Sequence, residues 1–514
     1  MTHVRILTEA LGGSPLSRLI QTGDAPPAWV GVRPRSAAEW RELALARRAE
    51  RDWGRCWDAL APAIGATGAA AERLERVRQQ GGVVVTTGQQ PGLFGGPVYT
   101  WSKALGALAF ADALERETGV ATAAVFWAAT DDADFDEAAY TVLARAGGAE
   151  KVRSEHAPPA GTPMSLAPLG DVSSLLTRLR DSAGSIADPR ALEASVGAYA
   201  DPRRSVGEAY VALLRELLAP LGIPVIDASH AAVQTVSRDT LASALTNAGG
   251  VAEALSQRGR EMRAAGFEPQ VEEMRELSLV FAREAGIKRR LSIVEAAAFA
   301  ADERAVLTPN VLLRPLVERA ILPTLAYLGG PGELAYFAQV SAVADALGVE
   351  RPLALPRWSC TLIEPHVQRL LDAFGVGYEA LAQRDALEGA VARKAMSERS
   401  AAAIGGLREA INGLTADLSG EATPLGLDKA VEGARHSLQH RVDRLERRLV
   451  AGIKRREQSL LQDVGTLRAA LYPLGTRQER ALNLIPMLSR HGLDLLDEMR
   501  DAAGAHAGAL VAHG

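Results

Sequence analysis

The chain has 514 residues, of which 47% are hydrophobic and 23% are charged, proportions that are typical of globular proteins and exclude disorder over most of the length. Its 57 lysines and arginines and 62 acidic residues give a net charge of −5, so we expect neither nucleic acid nor a membrane as a partner. Two cysteines, Cys56 and Cys360, are too few for a disulfide framework, and no apolar signal core follows Met1. These features predict a cytoplasmic protein of several structural units.

The first part of the chain predicts helices followed by a βαβ unit. Apolar residues recur with helical spacing over 37–58 and 69–79. A β-branched run at 83–85 then leads through a glycine-rich loop into a helical pattern over 97–117, and a second apolar run covers 120–127. Because such crossovers are right-handed, the two strands are expected to be parallel.

Alternating strands and helices continue to about residue 375 and predict an α/β fold, a Rossmann-like doubly wound parallel sheet with helical insertions and a C-terminal α-helical coiled coil. Further strand candidates are 224–226, 277–281, 324–328 and 353–355. The predicted organisation is a first core part at 1–157 with N-terminal helices, a helical insertion at 158–221, a second core part at 222–375 with a further helical insertion near 231–265, a coiled coil at 376–471, and a segment at 472–514 that packs back on the body.

The C-terminal coiled coil predicts self-association. Apolar residues recur at steps of three, four or seven from Leu438 to Leu471, which is typical of a coiled-coil seam. An α/β core offers this seam no partner, so we expect a homodimer held through residues 376–471. Its basic outer face, Arg435 to Arg456, is either solvated or a site for a phosphate-bearing ligand or an acidic helix.

The strongest local motif is the glycine-rich loop from Thr86 to Pro97. Glycines between a strand end and a helix start favour an anion site, because backbone N–H groups there attract phosphate or carboxylate. The loop matches neither a P-loop nor a G-x-G-x-x-G motif, so a tight crossover built for packing is the alternative. In the anion-site interpretation, valine at Gly88 or Gly92 would abolish binding without lowering stability. The candidate residues are Gly88, Gln89, Gln90, Gly92 and Gly96.

An acidic segment from Asp131 to Glu137 follows the second strand and so lies at the same edge of the predicted sheet. Its carboxylates repel one another unless a cation, an ammonium group or raised pKa values relieve them. An EF-hand is excluded by the spacing. A Mg²⁺–nucleotide, a substrate ammonium group, a general base and a solvated acidic turn stay open, with Asp132 and Asp134 as candidates.

Two later blocks predict a second wall of the same crevice. Asn310 is either a ligand contact or a helix cap, and Arg314 is an anion clamp if it faces the crevice or a surface ion-pair partner if it does not. Cys360 is expected to be a buried, inert thiol, and His436 with His440 lacks a third metal ligand, so no metal site is predicted. The other candidates are Gly329, Gly330, Gly332, Glu333 and Gln339.

Taken together, the motifs resemble one family, the bacillithiol biosynthesis cysteine-adding enzymes. Besides the blocks above, the resemblance rests on Phe126-Trp127, Pro356-Arg357, Thr361 to Glu364, and Gln478 to Arg480 with Asn483, which follow the family order from about residue 83 to 492. It implies a fold like the class I synthetase and nucleotidyltransferase group, with a coiled coil that pairs two subunits. It also implies ATP or ADP as cofactor, Mg²⁺ being left open, and amide formation between the carboxylate of cysteine and the amine of glucosaminyl malate.

One position departs from the family pattern. Family members usually carry Glu-Asp-His-Asp where this chain has Asp131-Asp132-Ala133-Asp134. Either that histidine is not essential, or Asp132 or Asp134 takes its role, or the substrate differs. In the leading hypothesis Gln89 and Gln90 orient a substrate carbonyl or hydroxyl, Asp132 and Asp134 hold an ammonium group or act as base, and Arg314 clamps malate or phosphate. The alternatives are a non-catalytic relative that binds a nucleotide or a thiol metabolite, and a ligase for another amine.

Overall fold

The structure, a computed structural model, describes residues 3–49, 53–382, 396–456 and 458–512. They divide into two compact units. The larger unit contains Ile6–Leu143, Lys151–Leu362 and Glu479–Gly514, and the smaller contains Met1–Arg5, Ala144–Glu150 and Ile363–Gln478. Residues 383–395 and 457 of the predicted coiled-coil segment lie outside the described residues.

The strands are short and span the chain up to residue 363. In chain order they are β1 (Arg5–Thr8), β2 (Val83–Gln89), β3 (Thr122–Ala128), β4 (Tyr140–Arg145), β5 (Gly148–Arg153), β6 (Val225–Asp227), β7 (Leu277–Glu284), β8 (Ile287–Ser292), β9 (Leu307–Pro309), β10 (Thr324–Gly329), β11 (Leu353–Pro356) and β12 (Cys360–Ile363).

The α-helices account for most of the remaining described chain. In chain order they are α1 (Pro15–Thr22), α2 (Pro27–Val30), α3 (Ala37–Ala49), α4 (Trp53–Ile64), α5 (Gly68–Gln80), α6 (Val98–Thr118), α7 (Phe135–Ala138), α8 (Ser173–Ala183), α9 (Arg190–Tyr199), α10 (Val206–Leu218), α11 (Ala231–Thr246), α12 (Ala248–Ala264), α13 (Ile293–Ala301), α14 (Arg314–Ile321), α15 (Pro331–Leu347), α16 (Pro365–Phe374), α17 (Glu398–Ala422), α18 (Asp428–Arg456), α19 (Gln458–Leu471), α20 (Gln478–Ala481), α21 (Ile485–His491) and α22 (Asp494–Ala512).

The larger unit is built on a five-stranded parallel sheet in the order β11-β10-β2-β3-β6. Numbered along the chain this order is 5-4-1-2-3, the Rossmann order, so the predicted fold class is confirmed. The order reverses between β2 and β10, which are neighbours in the sheet. Ligands of such sheets bind beyond the carboxyl ends of the strands at this switch point.

Apolar runs in β2 and β3 are explained by burial of the sheet. Val84, Val125 and Phe126 are fully buried, as expected for parallel strands that helices cover. Helix α6 begins after Pro97 and ends at Gly119, as the sequence predicts, and it is buried along almost its whole length. The C-terminal helix α22 packs along α6, which explains why both faces of α6 are apolar.

The predicted strand at 277–281 exists but does not extend the core sheet. It is part of β7, which pairs antiparallel with β8 and β9 in a separate three-stranded sheet. Strand β8 has the sequence IKRRLS, whose three consecutive cations hide any apolar alternation. The pairs β1-β12 and β4-β5 were also not predicted, because strands of four to six residues carry too little pattern.

In the smaller unit, α17 and α18 pack together as a helical hairpin. Arg408 on α17 pairs with Asp443 at 2.8 Å and Glu446 at 2.6 Å on α18. Of the predicted seam, Val442 is buried, whereas Leu438 and Leu445 are 45% and 46% exposed. Throughout the described ranges, no helix combines the length and the apolar character that crossing a membrane requires.

Candidate active site

The main cleft lies at the switch point of the sheet and has a volume of about 590 Å³. Residues 88–90 after β2, residues 131–132 after β3 and residues 330–333 at the start of α15 all line it. The two glycine-containing loops that the sequence places at one sheet edge therefore line the same cleft. The small antiparallel sheet also contributes to this cleft, through Phe281, Lys288 and Arg290.

Six buried or nearly buried charged residues at and behind the cleft wall neutralise one another. Lys103 on α6 has its Nζ 2.6 Å from Glu333 Oε2 and donates to the carbonyl of Gly88 at 2.9 Å and to Gln89 Oε1 at 3.0 Å. Burial lowers the pKa of Lys103, although Glu333 opposes this. We call the set the floor cluster: Lys103, Arg314, Glu318, Glu333, Arg357 and Glu479.

Glu333 is the centre of this cluster. Burial disfavours its charge, but Lys103 and Arg314 together hold its pKa below the usual value. Its Oε2 accepts from the backbone N–H of Gly330 at 2.7 Å, which caps α15, and its Oε1 accepts from Tyr327. Glu333 therefore lines the cleft as a carboxylate whose acceptors are already used by the protein.

Arg314 faces the cleft, but its guanidinium already has several protein partners. Its Nη1 donates to Glu318 at 2.7 Å, and its Nη2 donates to the hydroxyls of Tyr327 at 3.1 Å and Tyr336 at 3.0 Å. Through these contacts Arg314 joins α14, β10 and α15, and its role as an anion clamp stays a prediction.

A second buried pair joins the sheet to the C-terminal segment. Arg357, after β11, contacts Glu479 through two parallel hydrogen bonds of 2.9 Å each, and both side chains are almost fully buried. Burial opposes the charge of Glu479, yet Arg357 holds the pKa of that carboxyl below its usual range. Such a bidentate pair fixes the segment that carries the next residue, Arg480.

Two carboxylates of the acidic segment, Asp132 and Glu137, line the cleft without a cation within ion-pair distance in the described chain. Asp131 is paired with Lys288, whose Nζ is 3.4 Å from Asp131 Oδ2 and 2.8 Å from its carbonyl oxygen. Burial and the charge of Asp131 raise the pKa of Asp132, which is half-buried in the cleft wall. Partial desolvation in the cleft wall and the charges of Asp134 and Asp132 raise the pKa of Glu137, although the residue as a whole is exposed.

Two arginines of the cleft also lack a carboxylate within ion-pair distance, as far as the described chain extends. Arg290 donates to the carbonyl of Ser278 at 2.7 Å and lies 3.1 Å from the sulfur of Met274. Arg480 is exposed and lines the cleft. We call Asp132, Glu137, Arg290 and Arg480 the rim residues.

The glycine-rich loop is held by its own backbone. The N–H groups of Gly95 and Gly96 donate to the carbonyls of Gly92 and Leu93 at 3.1 and 3.2 Å, and the N–H of Val98 donates to Leu482 at 2.9 Å. These groups are therefore unavailable to an anion, and the structure supports the packing interpretation for this part of the loop. Gly92 and Gly96 line a small side pocket of about 40 Å³ and do not line the main cleft.

Glycine at position 88 is required by strand packing. A Cβ atom there would lie 2.6 Å from the carbonyl oxygen of Trp127 on the neighbouring strand, and one at Gly92 would lie 2.8 Å from the Cα of Gly96. The expectation that valine at either position would leave stability unchanged is therefore corrected.

Two further candidate residues, Asn310 and Gln339, lie in different places. Asn310 lines the cleft and also caps the following turn, its Oδ1 accepting from the N–H groups of Leu312 and Leu313 at 3.1 and 3.0 Å. Gln339 lies outside the cleft lining and uses both ends of its amide on the backbone of Val271, at 2.8 and 3.0 Å. The structure thus corrects its proposed ligand contact to a role in holding the loop at residue 271.

Asp134 and Gly329 are also absent from the cleft lining. Asp134 is exposed, and its Oδ1 accepts from the N–H of Glu137 at 3.1 Å, which caps α7. This cap gives Asp134 a structural role, and its assignment as a base stays a prediction. Gly329 packs against Glu333, whose Cβ would be 2.9 Å from an added Cβ.

The cleft residues to which the sequence assigned no role include Lys103, Glu137, Arg290, Arg357 and Arg480. Arg480 is brought to the cleft by tertiary contacts: Asn483 Nδ2 donates to the carbonyl of Phe94 at 3.0 Å and to Thr141 Oγ1 at 3.1 Å. The family motif around residues 478–480 was the available signal. Cys360 is buried, and burial raises the pKa of its thiol, as expected of an unreactive cysteine.

Two family profiles match the chain. Residues 58–358 match "Bacillithiol biosynthesis BshC, N-terminal Rossmann-like domain", and residues 360–509 match "Bacillithiol biosynthesis BshC, C-terminal coiled-coil domain". Proteins named "Putative cysteine ligase BshC" from Koribacter versatilis and Solibacter usitatus are 31% and 30% identical to the chain. The matches cover 86% and 84% of this chain and 85% and 84% of those proteins. A protein of the same name from Geobacillus thermodenitrificans is 27% identical, with 84% of each chain covered.

Proposed function

The chain belongs to the bacillithiol biosynthesis BshC family, and we propose that it is a ligase that joins the carboxylate of L-cysteine to the amine of glucosaminyl malate. The observation that carries the proposal is the cleft at the sheet's switch point, which is lined by two carboxylates and two arginines that have no ion-pair partner among the described residues. Such groups suit substrates that carry both ammonium and carboxylate groups, as cysteine and an amino-sugar malate conjugate do.

Amide formation from a free carboxylate is uphill in water, so we infer that ATP supplies the activation, with ADP or AMP as product. The part of the cleft around Arg290 fits such a ligand. Phe281 pairs with Arg290 across β7 and β8, and Val311 and the first turn of α15 line the same cleft. An aromatic ring suits a nucleobase, and the guanidinium of Arg290 suits phosphate.

The residues that the sequence analysis assigned to substrate binding differ in whether the protein already uses their hydrogen-bonding groups. Gln89 accepts from Lys103 at 3.0 Å and donates to the Tyr99 hydroxyl at 3.1 Å, so both ends of its amide are held. Gln90 lines both the cleft and the side pocket, which suits a group that orients a substrate carbonyl or hydroxyl. Asp132 lines the cleft with a carboxylate suited to the ammonium group of cysteine.

The test is to incubate the purified protein with cysteine, glucosaminyl malate and ATP and to follow the conjugate by mass spectrometry. We expect a conjugate that depends on all three compounds. Reactions without nucleotide and with ADP in place of ATP are the controls. Absence of conjugate under every nucleotide condition would contradict the ligase function.

A non-catalytic or altered-substrate relative is the second candidate, and Ala133 is the observation that favours it. Ala133 lies between the cleft residue Asp132 and the capping residue Asp134, where the family usually has histidine. The variant Ala133→His separates the cases. A large gain from near-zero activity supports a chain that has lost its chemistry, whereas an active wild type with no gain supports the ligase.

We also propose that the chain forms a homodimer through the α17–α18 hairpin. Leu438, Leu445 and Leu449 are 45%, 46% and 39% exposed, and a second copy would cover them. Changing Leu445 and Leu449 together to aspartate should yield monomers by light scattering, because each buried leucine contributes about 2 kcal/mol. Circular dichroism controls for loss of helix. A monomeric wild type at micromolar concentration, or a dimeric double variant, contradicts the proposal.

A further inference from the structure

The side pocket of about 40 Å³ adjoins the main cleft, because five residues line both. The shared residues are Gln89, Gln90, Tyr99, Glu137 and Arg480. Of these, Gln89 is held by Lys103 and Tyr99. Glu137, Gln90 and Arg480 thus form the polar junction between the two spaces.

Glu137 and Arg480 are opposite charges close enough to influence each other, yet they form no ion pair within 4 Å in the described chain. Gln90 donates a hydrogen bond to Glu137, and Arg480 opposes the rise in the pKa of that carboxyl. Both side chains belong to exposed residues, so each can exchange protons or ligands with solvent. An open carboxylate beside an open guanidinium is complementary to a ligand that carries an ammonium group and a carboxylate.

The proposed reaction involves two amines with opposite requirements. The ammonium group of cysteine has to be held away from reaction, whereas the acceptor's ammonium group has to lose a proton before it becomes a nucleophile. Asp132 is half-buried beside the Asp131–Lys288 pair, so its carboxylate is stabilised by a bound cation such as the ammonium group of cysteine. Glu137 is open to water and therefore suits repeated uptake and release of a proton.

We propose that Glu137 and Arg480 form the subsite for the amine-bearing substrate, in which Arg480 binds a carboxylate of that substrate and Glu137 takes the proton from its ammonium group. This inference rests on the proposed ligase function. The neutral amine attacks the activated carboxyl carbon of cysteine, and the new C–N bond forms. The C–O bond to the phosphate-bearing leaving group breaks, with the electron pair leaving on that group. Glu137 passes its proton to water and accepts the second amine proton.

The experiment separates activation of cysteine from attack by the amine. Nucleotide cleavage that depends on cysteine, measured without acceptor, reports the first step, and conjugate formation at saturating acceptor reports both. We expect Glu137→Gln to slow conjugate formation by about 100-fold or more, the usual contribution of a general base, and to leave the first step within about twofold. We expect Arg480→Gln to raise the KM for glucosaminyl malate by about 10-fold or more, with a smaller effect on kcat and partial rescue by Arg480→Lys.

Matched controls come from neighbouring surface charges. Asp136 is adjacent to Glu137 in sequence, is 88% exposed, pairs with Arg153 and does not line the cleft, so Asp136→Asn should behave as wild type. Arg203, also 88% exposed, gives the matching control Arg203→Gln. Wild-type conjugate formation by Glu137→Gln, or an equal loss in both steps, would overturn the role of Glu137.

Direct binding distinguishes failure of this subsite from failure of the ligase function. Calorimetry with glucosaminyl malate and no nucleotide should show binding to wild type that Arg480→Gln weakens and Arg203→Gln leaves unchanged. That result without any conjugate would support the subsite and reject the ligase. Equal binding to wild type and Arg480→Gln, or no binding to either, would overturn the subsite.

Discussion

The floor cluster and the rim residues belong to the same cleft but differ in how their charges are satisfied. In the floor cluster each charge has a protein partner, such as Glu333 for Lys103 at 2.6 Å and Glu479 for Arg357 at 2.9 Å. The rim carboxylate Asp132 has a raised pKa, whereas Lys103 and Arg314 hold the pKa of the floor carboxylate Glu333 below its usual value. Floor charges should therefore matter for folding, and rim charges should matter for ligands.

Breaking the floor cluster should have the largest effect on stability. Arg357→Met would leave the buried carboxylate of Glu479 without its partner, and removal of one member of a buried pair costs about 3–5 kcal/mol. Denaturant unfolding followed by circular dichroism measures this loss. Arg203→Gln, which removes an arginine 88% exposed to solvent, should leave the free energy of unfolding unchanged. Similar losses for both variants would show that the floor cluster does not stabilise the fold.

Substitution of Gly88, at the end of β2, should have the second-largest effect on stability. Gly88→Ala adds one Cβ atom, which would lie 2.6 Å from a backbone oxygen of β3, and overpacking of this kind costs about 1–3 kcal/mol. The matched control is Gly249→Ala in α12, where an added Cβ meets nothing within 4 Å. The control should be neutral or stabilising, because alanine favours helix over glycine. If Gly88→Ala is as stable as wild type but loses ligand binding, the result would support the interpretation of the glycine-rich loop as an anion site.

The sequence predicts those parts of the molecule whose signals are local. The run at 83–85 and the helix from Val98 to Thr118 have one clear periodicity each, and the strand-end position of the loops places them at one sheet edge. Strand β8 could not be found because its cations are consecutive. Sequence spacing could not show that Arg314 contacts Glu318 and two tyrosines, because these contacts form only in the tertiary structure. The same holds for the position of Arg480 in the cleft.

Substitution of Asp134 tests whether this residue belongs with the rim residues or with the surface, and it should change stability less than the variants above. As the cap of α7, it should lose about 1 kcal/mol of stability when changed to alanine, whereas Asp134→Asn should keep the cap and the stability. Both variants should retain most of the conjugate formation. If Asp134 were the base that the sequence suggested, Asp134→Asn would fold normally and lose the reaction, so assays of the two variants side by side decide between the roles.

Among the cleft residues, Asp132 should give the smallest change in stability, and the change should be stabilising. Its pKa is higher in the folded protein than the usual aspartate value, so ionisation at neutral pH disfavours the folded state. Asp132→Asn removes that charge and should raise the free energy of unfolding at pH 7. The advantage should disappear as the pH falls below the usual aspartate pKa, where wild-type Asp132 is protonated in both states.

The same variant should bind cysteine more weakly, because the carboxylate that holds the ammonium group is gone, so stability and binding move in opposite directions. Unfolding measured at two pH values, together with calorimetry of cysteine binding, checks both parts. If the variant is less stable than wild type at pH 7, Asp132 stabilises the fold as the floor cluster does. The contrast between the floor cluster and the rim residues would then not hold. A variant that is more stable and still binds cysteine as wild type does would show instead that the unpaired charge serves some other ligand.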